Sequence, residues 1–341
     1  MVEMKIFKSF EIPKKYTRSI ILIGNFDGVH LGHQKLLKKA REYKKRFKCK
    51  IGVITFDPSP KMFFNKNLKN FKLMTLNQKI SQFKKEKVDF LINQKFSKKF
   101  SKIKANSSIN KYLSGKINSK FIFVSNNFKF GYKRKGDVKL LKKFGKKHKY
   151  SLLKTSPYKY GKKLVSSTRI RKALQRGDLD NANKLLSRTW FIEGRVIEGK
   201  KIGRKLGYRT CNIRIKDYLL PKSGIYAVKV KILNEKNILK GVAYLGSRPT
   251  FSGKQIFLEI NIFGIKKNLY KKSLRVYFLK FIRADRRFNS PKRLVRQMNK
   301  DVILAKKSLK TKLILWVKKI LICLKLHFQW RQTYPTKSLK F

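Results

Sequence analysis

With 341 residues, 42% of them hydrophobic, the chain is too long for one ordinary core and supplies enough apolar side chain for two folded domains. Its cysteines, Cys49, Cys211 and Cys323, are far apart and lack metal-ligand spacing, which excludes a disulfide framework or a zinc site. The 88 Lys+Arg against 17 Asp+Glu give a net charge of +71, which attracts polyanions, yet the basic residues are mostly Lys, spread along the whole chain among Asn, Ile and Phe as an AT-biased genome would supply them.

Residues 1–16 contain no apolar signal core, so the expected compartment is the reducing cytoplasm. The first buried strand is expected at 19–24 (SIILIG), and helical spacing of Leu36, Leu37, Ala40 and Tyr43 predicts a helix over 32–47. A second buried strand, 51–56 (IGVITF), ends at the turn signal Asp57-Pro58-Ser59-Pro60. Further apolar runs at 88–92 and 121–124 each follow a predicted helix. This alternation predicts a Rossmann-like α/β domain over 1–186, whose parallel sheet binds ligands outside the carboxyl ends of its strands. From Trp190 the texture changes to short alternating segments at 191–197, 225–233, 241–245, 256–263 and 274–281, which predict a small antiparallel β-barrel over 187–307. Ser290-Pro291 signals a C-terminal closing helix. The run 313–324 is interrupted by Lys318 and Lys319 and is too short to span a bilayer, so 308–341 is expected to be an extension outside the fold.

The string GNFDGVHLGH, Gly24 to His33, places two histidines three residues apart where a strand-end loop becomes a helix. Unpaired N–H groups and the helix dipole at such a terminus favour a phosphate, and imidazoles there can donate to its oxygens. Gly24, Gly28 and Gly32 let the backbone approach a triphosphate. Taken alone, an HxxH pair more often caps and packs its helix. The whole string resembles the GxFDGxHxGH signature of the FAD synthetase family within the HxGH nucleotidyltransferases. TFDPSPKMFF from Thr55, NNFKFGYKRKG from Asn126 and SSTRIR from Ser166 are similar to that family's further segments, although Ser125 and Asn126 stand where a Gly is common. The resemblance implies nucleotidyl transfer from Mg²⁺-bound ATP to FMN, giving FAD and pyrophosphate. It places Gly24, Phe26, Asp27, Gly28, Gly32 and Asn127 at the nucleotide, His30 and His33 as donors to the triphosphate, and Ser167, Thr168 and Arg171 as pyrophosphate contacts. Asp27 is expected to organise the loop.

GKKIGRKLGYRTCNI, LLPKSGIYAV, GVAYLGSRPTF, LEINIF and FIRADRRF resemble the riboflavin kinase family and cover nearly the whole second domain. The resemblance implies ATP-dependent phosphorylation of riboflavin to FMN, with Thr210 and Asn212 at magnesium and Glu259 as general base. Gly203, Lys205 and Gly207 belong to a basic Gly-rich turn able to cradle phosphates. This sequence departs from the family pattern at Arg209 and Cys211, where Pro and Ala are usual, at Tyr244, where Asn is usual, and at Lys271, where Gly is expected.

The expected protein is therefore a bifunctional enzyme of flavin-cofactor synthesis whose partners are riboflavin, FMN and ATP. No specific nucleic acid and no stable membrane span are expected, and oligomeric state stays open. Two alternatives remain: an FAD synthetase whose second domain only positions flavin, and a basic nucleic-acid-binding protein.

Overall fold

The computed structural model describes residues 3–199, 203, 207–250, 253–265 and 267–310, with the backbone alone at 247–250 and 253–255. Lys205 and the apolar run 313–324 lie outside the described residues. The chain divides into two compact units. One comprises the residues up to Arg176 with Asn181–Arg188 and Lys216–Pro221; the other comprises Gly177–Asp180, Thr189–Ile215 and the residues from Lys222 onward. Lys216–Pro221 joins the first unit through two backbone hydrogen bonds, Lys72 N–H to Asp217 O at 3.0 Å and Leu219 N–H to Lys72 O at 2.7 Å.

In the first unit, β1 (Lys5–Phe7), β2 (Ile20–Ile23), α1 (Leu31–Phe47), β3 (Ile51–Asp57), α2 (Leu76–Lys85), β4 (Phe90–Lys95), β5 (Phe121–Ser125), α3 (Val138–Lys147), β6 (Ser151–Thr155), α4 (Ser167–Gln175) and, from Asn181 onward, α5 (Leu179–Leu186) follow one another. The strands form one parallel sheet in the order β1-β4-β3-β2-β5-β6. Alternation along β2 explains why its apolar run is continuous. Ile20 and Leu22 join a core with Leu36, Leu37 and Ala40 of α1, while Ile21 and Ile23 join a second core with Ile54, Ile122 and Leu141. The helix onset at α2 has its own local cause, a capping box in which Thr75 Oγ1 accepts from Gln78 N–H and Gln78 Oε1 accepts from Thr75 N–H.

In the second unit, β7 (Phe191–Ile197), β8 (Cys211–Arg214), β9 (Gly224–Ile232), β10 (Ile238–Thr250), β11 (Gly253–Ile262) and β12 (Ser273–Ala284) close into an antiparallel barrel in the order β7-β8-β11-β10-β9-β12. The helix α6 (291–310) packs Ala305 and Leu309 against Ala227 and Leu279 of the barrel wall. It is also held by Arg283, whose guanidinium donates to the Asp301 carboxylate at 2.7 and 2.9 Å; Asp301 is 3% exposed. Helix and burial thus continue past residue 307, where the sequence suggested that the fold ends.

Candidate functional sites

In the first unit, the loop between β2 and α1 adopts a backbone that its residues would not choose alone. Phe26, Gly28 and Val29 have φ of 48°, 84° and 36°. For a β-branched residue such as Val29 that is a sterically costly conformation, and it persists only where the surroundings impose it. At Gly28 a side chain is barred twice, by the positive φ and by the Leu73 side chain, which a Cβ would meet at 2.9 Å.

The surroundings that impose the conformation come from distant parts of the chain. Arg188 donates to Gly28 O at 2.6 Å and Val29 O at 3.3 Å, and Gln34 Nε2 donates to Val29 O at 2.9 Å. Ser167 Oγ donates to Asp27 O at 2.8 Å. The Asp27 carboxylate accepts from Leu73 N–H at 3.0 Å and pairs with Arg171, whose guanidinium also stacks on the Phe71 ring 3.7 Å from its centroid. Burial raises the Asp27 carboxyl above the ordinary aspartate range, and Arg171 and Lys79 pull it back. Asp27 thus ties the loop to Leu73 and Arg171 through its carboxylate and to Ser167 through its carbonyl.

His30 occupies the N-cap position of α1 but makes no side-chain cap bond, so it does not serve as a helix cap. Instead the two imidazoles stack at 3.7 Å between centroids, and His33 rests against Phe26 at 5.0 Å. The Nδ1 atoms of both are buried without a hydrogen-bond partner. Burial, reinforced by Arg188, lowers His30 to about 4; burial, reinforced by His30, holds His33 well below the ordinary histidine range. Both rings are neutral at pH 7. A histidine depressed in the folded state favours folding above its unfolded pKa of about 6.5, and that contribution is lost as pH falls through the folded value. For His30 this amounts to about 3 kcal/mol. Urea unfolding of the full chain is accordingly expected to weaken more steeply between pH 6.5 and 4.5 than that of His30→Asn. Parallel pH dependences would contradict the buried neutral imidazole.

A cavity of about 180 Å³ opens outside the carboxyl ends of β2, β3 and β4 and is lined by Asn25, Asp27, Asp57, Lys79, Asn93, Ser167, Thr168 and Arg171, with Phe56, Met62 and Phe71 as apolar wall. Gly24 and Gly32 bracket the loop that forms one side of it. Of the expected residues, Asp27, Ser167, Thr168 and Arg171 line this cavity, whereas Gly24, Gly28, Gly32, His30 and His33 do not, and two more are placed apart from it. Phe26 is 1% exposed and packs edge-on against Phe83 in the core, so it supports His33 from behind instead of meeting a nucleotide. Asn127 sits exposed in the turn after β5, accepts from Ser125 Oγ at 3.0 Å, and does not line the cavity. Sequence reading missed Lys79, Asn93 and Arg188. Asn93 Oδ1 is a buried acceptor without a partner on the cavity wall, suited to a ligand hydroxyl or amine.

In the second unit, strand register assembles the other site. Glu259 of β11 lies directly opposite Asn212 of β8 on one side and Tyr244 of β10 on the other. Directly opposed residues of antiparallel strands share a face. Ile213, Leu258, Ile260, Ala243 and Leu245 alternate with them and are buried, so Asn212, Glu259 and Tyr244 share the barrel's outer face. Asn212 is 7% exposed and its Oδ1 has no hydrogen-bond partner. Gly199 lies so close that a Cβ there would meet Asn212 Nδ2 at 2.3 Å, which explains the glycine. Tyr208 N–H donates to Gly203 O at 2.7 Å, and a Cβ on Gly203 would press on Thr210 Oγ1 at 3.2 Å. Thr210 also lines a cavity of about 300 Å³ with Val196, Ile260, Leu269 and Tyr270.

Two of the departures from the family pattern, Cys211 and Tyr244, have a visible accommodation. Cys211 is buried, its thiol pushed up to about 12 by burial, so it behaves as a small apolar residue in place of Ala. The exposed Arg209 accepts Asn261 Nδ2 on its carbonyl at 2.8 Å. Tyr244 donates its hydroxyl to Asp285 at 2.7 Å. Lys271 has φ of 63°, the left-handed backbone for which Gly is the ordinary choice. Replacing it should relieve strain. Lys271→Gly is expected to stabilise the protein by about 0.5–1 kcal/mol with kinase kinetics unchanged, as read by urea unfolding; a destabilised variant would show that the Lys271 side chain contributes more than its backbone costs.

Comparison with known proteins bears on both sites. The FAD synthetase family model matches residues 12–169 and the riboflavin kinase family model matches residues 186–309. The bifunctional riboflavin kinase/FMN adenylyltransferase of Buchnera aphidicola subsp. Schizaphis graminum is 38% identical over 308 residues, covering 89% of this chain and 98% of that one. The chain belongs to the bifunctional riboflavin kinase/FMN adenylyltransferase family. Proteins of the same description from Haemophilus influenzae and Escherichia coli K12 are 37% and 33% identical, over 92% and 91% of their lengths and 84% of this chain. A crystal structure described as a macrolide-efflux protein from Streptococcus pneumoniae superposes with a TM-score of 0.78 at 28% identity, covering 88% of this chain and 97% of that one. Among the described residues, no helix is long and apolar enough to cross a membrane.

Proposed function

We propose that the second unit phosphorylates riboflavin to FMN and the first unit adenylylates FMN to FAD. The observation that carries this reading is that each unit builds its own polar site: the clamped loop and cavity at the carboxyl ends of β2–β4, and the Asn212–Glu259–Tyr244 row on the barrel.

In adenylyl transfer, a phosphate oxygen of FMN bonds to the α-phosphorus of ATP while the bond to the bridging oxygen of pyrophosphate breaks. No enzyme nucleophile is needed. The protein's task is to hold two anions in line and to stabilise the charge on the departing pyrophosphate. Neutral His30 and His33 serve as N–H donors, with Thr168 at the amino end of α4 as a further polar contact. In phosphoryl transfer, a ribityl hydroxyl of riboflavin bonds to the γ-phosphorus, ADP leaves, and Glu259 accepts the hydroxyl proton.

The residues present fit a magnesium ion at the kinase site. A buried carboxamide oxygen with no partner, Asn212 Oδ1, is a hard ligand of the kind Mg²⁺ takes, and Thr210 Oγ1 stands two residues away. When bound, an ion held by Thr210 and Asn212 would supply positive charge to offset that of the ATP phosphates. Among the described residues, no cluster of three or more His, Cys, Asp or Glu residues could hold a metal ion.

Incubating the purified protein with riboflavin, ATP and Mg²⁺, then separating flavins, tests the reading. FMN followed by FAD is expected. FMN alone would remove the first unit's assignment, and FAD formed only from supplied FMN would remove the second unit's and favour a barrel that merely positions flavin.

A further inference from the structure

The first unit has to supply positive charge to a phosphate chain, and the histidines do not: both are neutral at pH 7. Nor are two of the cations that line the cavity unopposed. Arg171 is matched by Asp27, and Lys72 by Asp57 at 3.3 Å. Lys61 is exposed and lies over the Phe71 ring, 5.0 Å from its centroid.

Lys79 is different. It stands in the first turn of α2, fixed there by the Thr75–Gln78 capping box, and lines the cavity from within. Its Nζ donates to Asn25 O at 2.8 Å and to Thr55 Oγ1 at 3.3 Å, both uncharged oxygens. An ammonium has three hydrogens, so one is left for a ligand. Among the described residues, no carboxylate stands within ion-pair distance of it. The Asp27 and Asp57 carboxylates act on it without an ion-pair contact, so a half-buried cation whose direct contacts are neutral still gains from the entry of an anion, because burial weakens the solvation that would otherwise satisfy it.

We propose that Lys79 is a catalytic residue of FMN adenylylation, its ammonium contacting the ATP phosphate chain and offsetting the charge that gathers on pyrophosphate as it departs. This rests on the adenylyltransferase reading above. The competing role is structural: Lys79 ties the loop after β2, at Asn25, to Thr55 of β3. A structural tie acts on stability. A phosphate contact acts on turnover and on affinity for pyrophosphate.

The experiment compares the parent with Lys79→Met and Lys79→Arg in the full chain. It measures kcat and KM for FAD formation from FMN and ATP, inhibition by added pyrophosphate, riboflavin phosphorylation, and thermal unfolding. Lys79→Met is expected to lower kcat by about 30- to 100-fold, as loss of one charged transition-state contact does, and to weaken pyrophosphate inhibition by about tenfold or more. Lys79→Arg, which keeps the charge and donors, should recover most of both, and kinase activity should not change in either variant. If the parent makes FAD and Lys79→Met turns over within about threefold of it, the assignment is overturned while the adenylyltransferase reading stands. Loss of turnover with pyrophosphate affinity intact and the melting temperature lowered would mark the structural tie and overturn it equally. A parent that makes no FAD would overturn the underlying reading and this assignment together.

Discussion

Replacing His30 with alanine is expected to cut FMN adenylylation by about 100- to 1,000-fold while riboflavin phosphorylation stays within about twofold of the parent. The reason lies in the charge state and placement of the imidazole. A ring lowered to about 4 is a neutral hydrogen-bond donor at pH 7; His30 is itself only 6% exposed, stacked on His33, and pressed into position by a loop that Arg188, Gln34 and Asp27 hold in strained backbone. A preorganised donor in a poorly solvated site loses little on reorganising when charge develops, so its removal is felt mainly in turnover. His30→Asn retains a donor and should retain more activity than His30→Ala. Assaying both steps on one preparation, with unfolding monitored alongside, separates a lost donor from a lost fold. Equal losses in both activities would contradict the division of labour between the units.

Much of this arrangement was legible in the sequence, and the parts that were not have physical reasons. The strand at Phe191–Ile197 and the β2–loop–α1 unit could be read because continuous or alternating apolar runs there end in glycine or a turn signal. Strands β1, β6 and β8 could not. Lys5–Phe7 and Ser151–Thr155 are short edge strands with half-exposed or exposed residues, so neither carries an apolar run, and Cys211–Arg214 is only four residues long. The apolar run at 88–92 was read two residues early: Val88 packs into the core before Phe90–Lys95 enters the sheet.

The site shows the same division. Local strings announced Asp27, His30, His33, Ser167 and Arg171, because residues that share a loop or a helix start also share a stretch of sequence. Lys79 and Arg188 reach the same loop from 54 and 160 residues away, and one basic residue among 88 carries no signal of its own. The sign that could have found Lys79 was the Thr75–Gln78 capping box, which fixes the residue after it in the first turn of a helix. Phe26 illustrates the converse. Its place within a recognised string suggested contact with nucleotide, but the positive φ at that position turns the ring inward onto Phe83.

Glu259→Gln is expected to lower riboflavin phosphorylation by about 100- to 10,000-fold and to leave FAD formation from supplied FMN unchanged. The substitution keeps size and strand position but removes the proton acceptor, so Asn212 and Tyr244 still flank residue 259 in register. That register is also why the departures from the family pattern do not by themselves argue for an inactive barrel. Cys211 takes a buried apolar position, Lys271 departs in backbone conformation, and Tyr244 is engaged by Asp285, none of which removes the Asn212–Glu259 pairing. Tyr244 is the departure nearest the carboxylate, and Tyr244→Asn makes the comparison decisive. If the parent phosphorylates riboflavin, Tyr244→Asn should alter KM more than kcat, since bulk beside Glu259 affects how riboflavin seats and not which group takes its proton. If the parent is inactive and Tyr244→Asn restores phosphorylation, the barrel is a kinase blocked by one side chain. A parent and a Tyr244→Asn variant both inactive, with FMN still converted to FAD, would leave the barrel as a flavin-positioning domain.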